Sequence, residues 1–169
     1  LGNTPDMLRA MAAAALGGFT LCGINTTRRG AGLAADIRRA GCQLLVTDAE
    51  HLPLLADLDL DGVRVLDTSR PEWAHLVAGA GPLTPYREVG AMDTFMMIFT
   101  SGTSGDPKAV QVNHLMVLFA GLNLQGRFGL GRDDVCYVSM PLFHSNAVVA
   151  GWSPAVCGGS TIVPARFSA

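Results

Sequence analysis

Apolar positions along this chain alternate between a helical period and short unbroken runs, and the changes of period mark its elements. Thr4 and Pro5 suit the N-cap and first turn of a helix, with Asp6 well placed against the positive end of its dipole. That helix is predicted to run through Met7, Leu8, Met11 and an alanine-rich stretch to Gly17, a natural stop. Residues 19–22 read as a short buried strand and 25–30 as a polar loop. Leu33, Ile37 and Ala40 mark a second helix closed by Gly41. Strands are predicted at 43–47 and 63–66, with His51 in a short helical piece before Pro53. Residues 68–90 hold Pro71, Pro82 and Pro85 and little periodicity, so they are predicted as a long surface connection with Trp73 and His75 partly covered. The apolar run 95–99 predicts a buried strand. Leu115, Leu118, Phe119 and Leu122 predict a helix over 113–125 that packs this face inward. A polar turn at 129–134, with Asp133 and Asp134 solvated, leads to a strand at 135–140. Helices alternating with short apolar strands predict an α/β fold, a mostly parallel sheet flanked by helices.

Between the strand at 95–99 and the helix at 113–125 lies the most informative stretch, Thr100-Ser101-Gly102-Thr103-Ser104-Gly105-Asp106-Pro107-Lys108. Gly102 and Gly105 permit positive φ and close approach of a ligand to the backbone. Thr100, Ser101, Thr103 and Ser104 offer hydroxyl donors, and Lys108 offers a charge. These are the components of a cradle for phosphate oxygens. A flexible turn is the plain alternative, and the density of suitable residues favours the cradle. A Walker-type loop is excluded, because it needs Gly directly before the Lys and Ser or Thr directly after it, whereas Lys108 stands between Pro107 and Ala109.

Composition adds a constraint. Apolar residues make up 49% of the 169 residues and charged residues 15%, against about 25% charged in ordinary soluble domains. Such a chain either inserts into a membrane or comes from the interior of a larger protein. The charge-poor runs at 10–27 and 135–165 are interrupted by glycines and by Pro141, His144, Asn146 and Pro154, which argues against a spanning helix. Leu1 and Asp6 do not suit a signal peptide. A net charge of −2 gives no nucleic-acid footprint. Cys22, Cys42, Cys136 and Cys157 form no Cys-x-x-Cys pair, so no zinc or redox motif is signalled, and they read as small buried residues in a reducing compartment. Arg28 and Arg29 read as solvated loop residues.

The loop at 100–108 resembles the phosphate-loop signature of AMP-forming adenylating enzymes. Asn3-x-Pro5, Gly17-Gly18-Phe19 and Ile24-Asn25-Thr26 resemble the early part of the acyl-CoA synthetase large domain. Pro141-Leu142-Phe143-His144 resembles the segment that places a His at the carboxyl or acyl end of the substrate in that family. Without the resemblance, His144 beside Phe143 reads as a satisfied core residue. Asn25-Thr26-Thr27-Arg28-Arg29, Pro107-Lys108-Ala109, the stretch from Gly158 to Val163 and Arg166-Phe167-Ser168-Ala169 narrow the likeness to the very-long-chain acyl-CoA synthetase and fatty-acid transport protein group.

The resemblance implies a fatty-acid–CoA ligase using ATP, Mg²⁺ and coenzyme A. Thr100, Ser101, Gly102, Thr103, Ser104, Gly105 and Lys108 would hold phosphates, His144 would be catalytic, and the protein would have no metal site of its own in this stretch. Its partners would be small-molecule substrates and not nucleic acid, in a cytoplasmic setting that leaves peripheral membrane contact open. His114 would help fix the loop, and Ala147, where many family members carry Gly, would alter the pocket floor. The family's Tyr-Gly-x-Thr-Glu segment, ATP-ribose Asp, hinge and C-terminal domain with its catalytic Lys have no counterpart in these residues. Residues 1–169 are therefore expected to be part of the N-terminal AMP-binding domain, with arbitrary ends, and not to form acyl-CoA alone. The alternative is a non-catalytic nucleotide- or acyl-binding remnant.

Overall fold

The computed structural model describes residues 1–60, 62–100 and 107–166. Helix α1 (Pro5–Gly17) begins as its sequence requires: the Thr4 hydroxyl accepts from the Met7 amide, and Pro5 fills the first turn. It ends where Gly18 takes a left-handed φ of 78° and returns its N–H to Ala14 O. Strand β1 (Leu21–Gly23), helix α2 (Gly30–Arg39), strand β2 (Leu44–Thr47), a 3₁₀ turn (Leu52–Leu55) and strand β3 (Arg64–Asp67) follow in the predicted order. The connection at 68–90 is less irregular than its prolines suggested. Pro71 starts helix α3 (Pro71–Ala78), with Glu72 in its first turn.

The centre of the molecule is a three-stranded sheet, ordered β1, β4 (Thr94–Thr100), β5 (Lys108–Asn113). Strands β1 and β4 run parallel, with Gly23 opposite Ile98, and β4 and β5 form an antiparallel pair. Two further parallel pairs are β2 with β3, and β6 (Val135–Val138) with β7 (Thr161–Pro164). Parallel pairing predominates as expected, but among the described residues it is divided into three ladders, not one sheet. The core gathers where α1 crosses the central sheet: Met7 and Met11 meet Phe95, Met96 and Ile98, and Val117, Leu142, Val148 and Trp152 close over them. Phe95 stacks on Trp152 with ring centroids 5.4 Å apart. Each such side chain contributes about 1.5–3 kcal/mol by leaving water.

Helix α4 (His114–Phe128) starts where predicted, with the Asn113 side chain accepting from the Met116 amide. Its inward face is not the predicted one. Leu115, Leu118, Phe119 and Leu122 are all exposed, Phe119 at 68%, and the buried stripe is Val117 and Gly121. The helix is apolar nearly all round, so its periodicity fits more than one face. The choice is made by the neighbouring element. A π-helical turn (Ala147–Trp152) leads into α5 (Ser153–Gly158). A Cβ on Gly121 would lie 2.2 Å from Ser153 Oγ, so only glycine admits this crossing. Ser153 Oγ uses the approach to donate to Val117 O at 2.6 Å.

Arg28 also departs from expectation. It is a partner of Asp36, which is 1% exposed on the buried side of α2. Arg28 Nε donates to Asp36 Oδ2 at 2.9 Å, and Arg39 Nη1 donates to Oδ1 at 3.2 Å. A carboxylate placed beside Leu33 and Ile37 requires such partners. Arg29 does remain exposed, bonding the backbone oxygen of Thr26. The four cysteines are free and partly buried, and burial pushes the Cys22 thiol up to about 12. Among the described residues no helix is long and apolar enough to cross a membrane.

Candidate functional site

Two segments singled out by the sequence meet the central sheet at one end. The first is the hairpin of β4 and β5, whose last registered pair is Thr100 with Lys108. Both side chains are exposed. Ser101, Gly102, Thr103, Ser104 and Gly105, with Asp106, lie outside the described residues. Lys108 opens a strand, so the segment does not pass directly into the helix as predicted. Six residues of β5 intervene before α4.

This changes the place of His114. The register puts Asn113 opposite Thr94, at the other end of the hairpin from Thr100 and Lys108. Six residues of strand separate the two ends, roughly 20 Å. His114 therefore lies at the opposite end of the hairpin from the Thr100/Lys108 pair that flanks the loop. Its ring tilts against Phe95, with centroids 5.3 Å apart, and helps line an apolar cavity of about 230 Å³ with Val117, Trp152, Ser153 and Cys157. Burial lowers the His114 pKa below its ordinary value, against an opposing pull from Asp93.

The second segment is the turn at Pro141–His144, which follows β6 and is closed by the His144 amide donating to Pro141 O at 2.9 Å. Two distant residues fix it. Asn3 Nδ2 donates to Met140 O at 2.9 Å, and Asn3 Oδ1 accepts from the Leu142 amide at 2.8 Å. On another side lies Gly23, where a Cβ would be 2.8 Å from Phe143 Cα. Glycine within a strand commonly marks such close backbone approach. The His144 ring tilts against Phe143 at 4.6 Å and, among the described residues, makes no side-chain hydrogen bond. Ala147 is buried in the core at 2% exposure, so its methyl group faces packing and not an open floor.

The Gly23 contact brings these segments into relation. Gly23 is opposite Ile98, two residues before Thr100 in β4. The His144 turn and the hairpin end thus share the carboxyl end of the parallel pair β1/β4, the end at which open α/β sheets receive ligands. Sequence reasoning found Thr100, Lys108 and His144 but assigned no role to Gly23 or to the Asn3 bonds. Gly23 falls just outside the strand predicted at 19–22, and Asn3 stands out only as part of the Asn3-x-Pro5 motif. Among the described residues no group of three or more His, Cys, Asp or Glu side chains is placed to hold a metal ion.

The sequence model of the family described as AMP-binding enzyme matches residues 1–169. The chain belongs to that family. It is 47% identical over 171 residues to the medium/long-chain-fatty-acid–CoA ligase FadD17 of Mycobacterium marinum, covering 100% of this chain and 33% of that protein. It is 41% identical to the steroid-22-oyl-CoA synthetase of Rhodococcus jostii, covering 100% of this chain and 31% of that one. The fold matches the apo structure of Mycobacterium smegmatis MbtA with a TM-score of 0.84 at 22% identity, over 97% of this chain and 33% of the other. This AMP-binding chain spans about a third of the length of the curated relatives it matches. The acyl-CoA synthetase branch read from its motifs agrees with their names.

Proposed function

We propose that residues 1–169 are part of the N-terminal large domain of a fatty-acid–CoA ligase, and that they supply its phosphate-holding loop and the residue facing the acyl carboxylate. The supporting observation is the shared position of the Thr100/Lys108 hairpin end and the His144 turn at the carboxyl end of β1/β4. In the proposed reaction a fatty-acid carboxylate oxygen attacks the α-phosphorus of ATP. The bond to the bridging oxygen breaks and pyrophosphate leaves with the electron pair. The coenzyme A thiolate then attacks the acyl carbon of the adenylate, and AMP leaves.

Bringing a carboxylate to an anionic phosphate needs charge compensation and alignment. In this reading Thr100, Ser101, Thr103 and Ser104 donate to phosphate oxygens, Gly102 and Gly105 let the backbone approach, and Lys108 adds a positive charge. At contact distance and an effective dielectric near 20 that charge is worth about 4 kcal/mol before desolvation. His144 can donate a ring N–H to the carboxylate and hold it in line. Mg²⁺ would enter with ATP as the MgATP substrate and share the charge of its phosphates. The co-substrates suit a cytoplasmic enzyme, and an apolar substrate suits peripheral contact with a membrane surface.

The test is fatty-acid-dependent exchange of pyrophosphate into ATP by the full-length protein. His144→Ala should slow exchange and leave ATP affinity unchanged, whereas Gly105→Val should weaken ATP binding more than fatty-acid binding. Exchange at the wild-type rate in His144→Ala would overturn the role given to His144. Equal loss of both ligands in Gly105→Val, at unchanged stability, would overturn the role of the loop.

A further inference from the structure

We infer that Asn3 is a positioning residue for the acyl end of the site, acting through the turn that carries His144. This rests on the function proposed above for His144. The side-chain amide of asparagine has one carbonyl and one NH₂ group, and here both engage the same short segment. Nδ2 donates to Met140 O at 2.9 Å and Oδ1 accepts from the Leu142 amide at 2.8 Å. Pro141, between them, has no N–H to offer. Asn3 thus pairs with the start of the turn as a neighbouring strand would.

Asn3 is itself held firmly. It directly precedes Thr4, the N-cap of α1, and Met7 and Met11 one and two turns further on are buried in the core. Phe143 of the same turn meets Gly23, so the segment touches both the start of α1 and the end of β1. Glutamine carries the same amide but one methylene further from the backbone. Aspartate keeps the acceptor but loses the donor and sets a negative charge against Met140 O, and alanine loses both.

The test uses the full-length protein with four variants: Asn3→Ala, His144→Ala, the double variant, and Thr4→Ala. The last weakens the same helix end but leaves the clamp atoms in place. The readouts are KM and kcat of pyrophosphate exchange for fatty acid and for ATP, and amide hydrogen exchange over residues 140–148. A misplacement of about 1 Å at a reacting group costs up to about 100-fold. Asn3→Ala should therefore lower kcat/KM for fatty acid by roughly 10- to 100-fold and leave KM for ATP unchanged. It should speed exchange of the Leu142 amide, and Thr4→Ala should do neither. The double variant should be no slower than His144→Ala alone, because the two residues act as one unit. If His144→Ala is slowed but Asn3→Ala behaves like Thr4→Ala, or the two losses multiply, the positioning role is overturned. An inert His144→Ala with a loosened turn in Asn3→Ala would instead overturn the reading of His144, and the positioning role with it.

Discussion

Gly23→Ala would set a methyl group 2.7 Å from Phe143 Cβ and 2.8 Å from Phe143 Cα, with Met96 Cε at 3.3 Å. Met96 Cε is the end of a flexible side chain and can move aside. Phe143 Cα is main chain, and the residue before it is bonded to Asn3, so retreat is opposed. Ordinary contact begins near 3.4 Å, and reaching it requires Phe143 to shift by about 0.7 Å or the turn to deform. Overpacking of this kind costs about 1–3 kcal/mol and lowers Tm accordingly. The displaced backbone carries His144. The expected result in the full-length enzyme is a loss of about tenfold or more in kcat/KM for fatty acid, with KM for ATP within about twofold of wild type. The assay is pyrophosphate exchange with each substrate varied in turn, beside a thermal melt. A variant with wild-type Tm and wild-type fatty-acid constants would refute the argument, because it would show that Phe143 is not held against β1.

Two further predictions concern stability. Asp36→Ala leaves Arg28 and Arg39 without the carboxylate they share. Breaking a buried pair costs about 3–5 kcal/mol, and because Arg28 and Arg39 are 33% and 34% exposed the expected loss is about 2–3 kcal/mol. A urea midpoint equal to wild type would show that the pair contributes nothing. His114 should make the fold sensitive to acid. Burial lowers its folded pKa below the unfolded value, which is about 6.5. Its contribution is complete above that value and is lost as pH falls from there through the folded pKa. Between pH 7.5 and 5.5 the wild-type urea midpoint should fall further than that of His114→Phe, and equal falls would refute the assignment.

Local chemistry made some elements legible in the sequence and tertiary context decided others. α1 was readable because Thr4, Pro5 and the glycines at its end each act within a turn of their position. β5 was not, since Val110-Gln111-Val112 is too short an alternation to stand apart from the glycine-rich segment before it. Without β5 the loop runs straight into α4 and His114 falls beside it, whereas six residues of strand stand between them. The face of α4 turned on Gly121 and Ser153, which no periodicity in α4 can reveal. In the candidate site the reacting residue types were visible as motifs. Their supports were not, because Asn3 and Met140 are 137 residues apart and Gly23 acts on Phe143 only by being small.

The parallel pairing of β1 with β4 has a consequence for how the protein is made. Leu21 finds its partner in Met96, and among the described residues no element between β1 and β4 joins that sheet. At about 5–20 residues per second, β1 waits roughly 4–15 s after leaving the ribosome before β4 exists to receive it. Through that interval Leu21, Cys22 and Gly23 carry an open strand edge in a stretch that has no charged residue from Ala10 to Thr27. The time for which β1 stands without that partner is therefore set by the speed at which the ribosome crosses residues 24–94. Slower codons there lengthen the exposure of β1 without changing a single contact in the finished molecule.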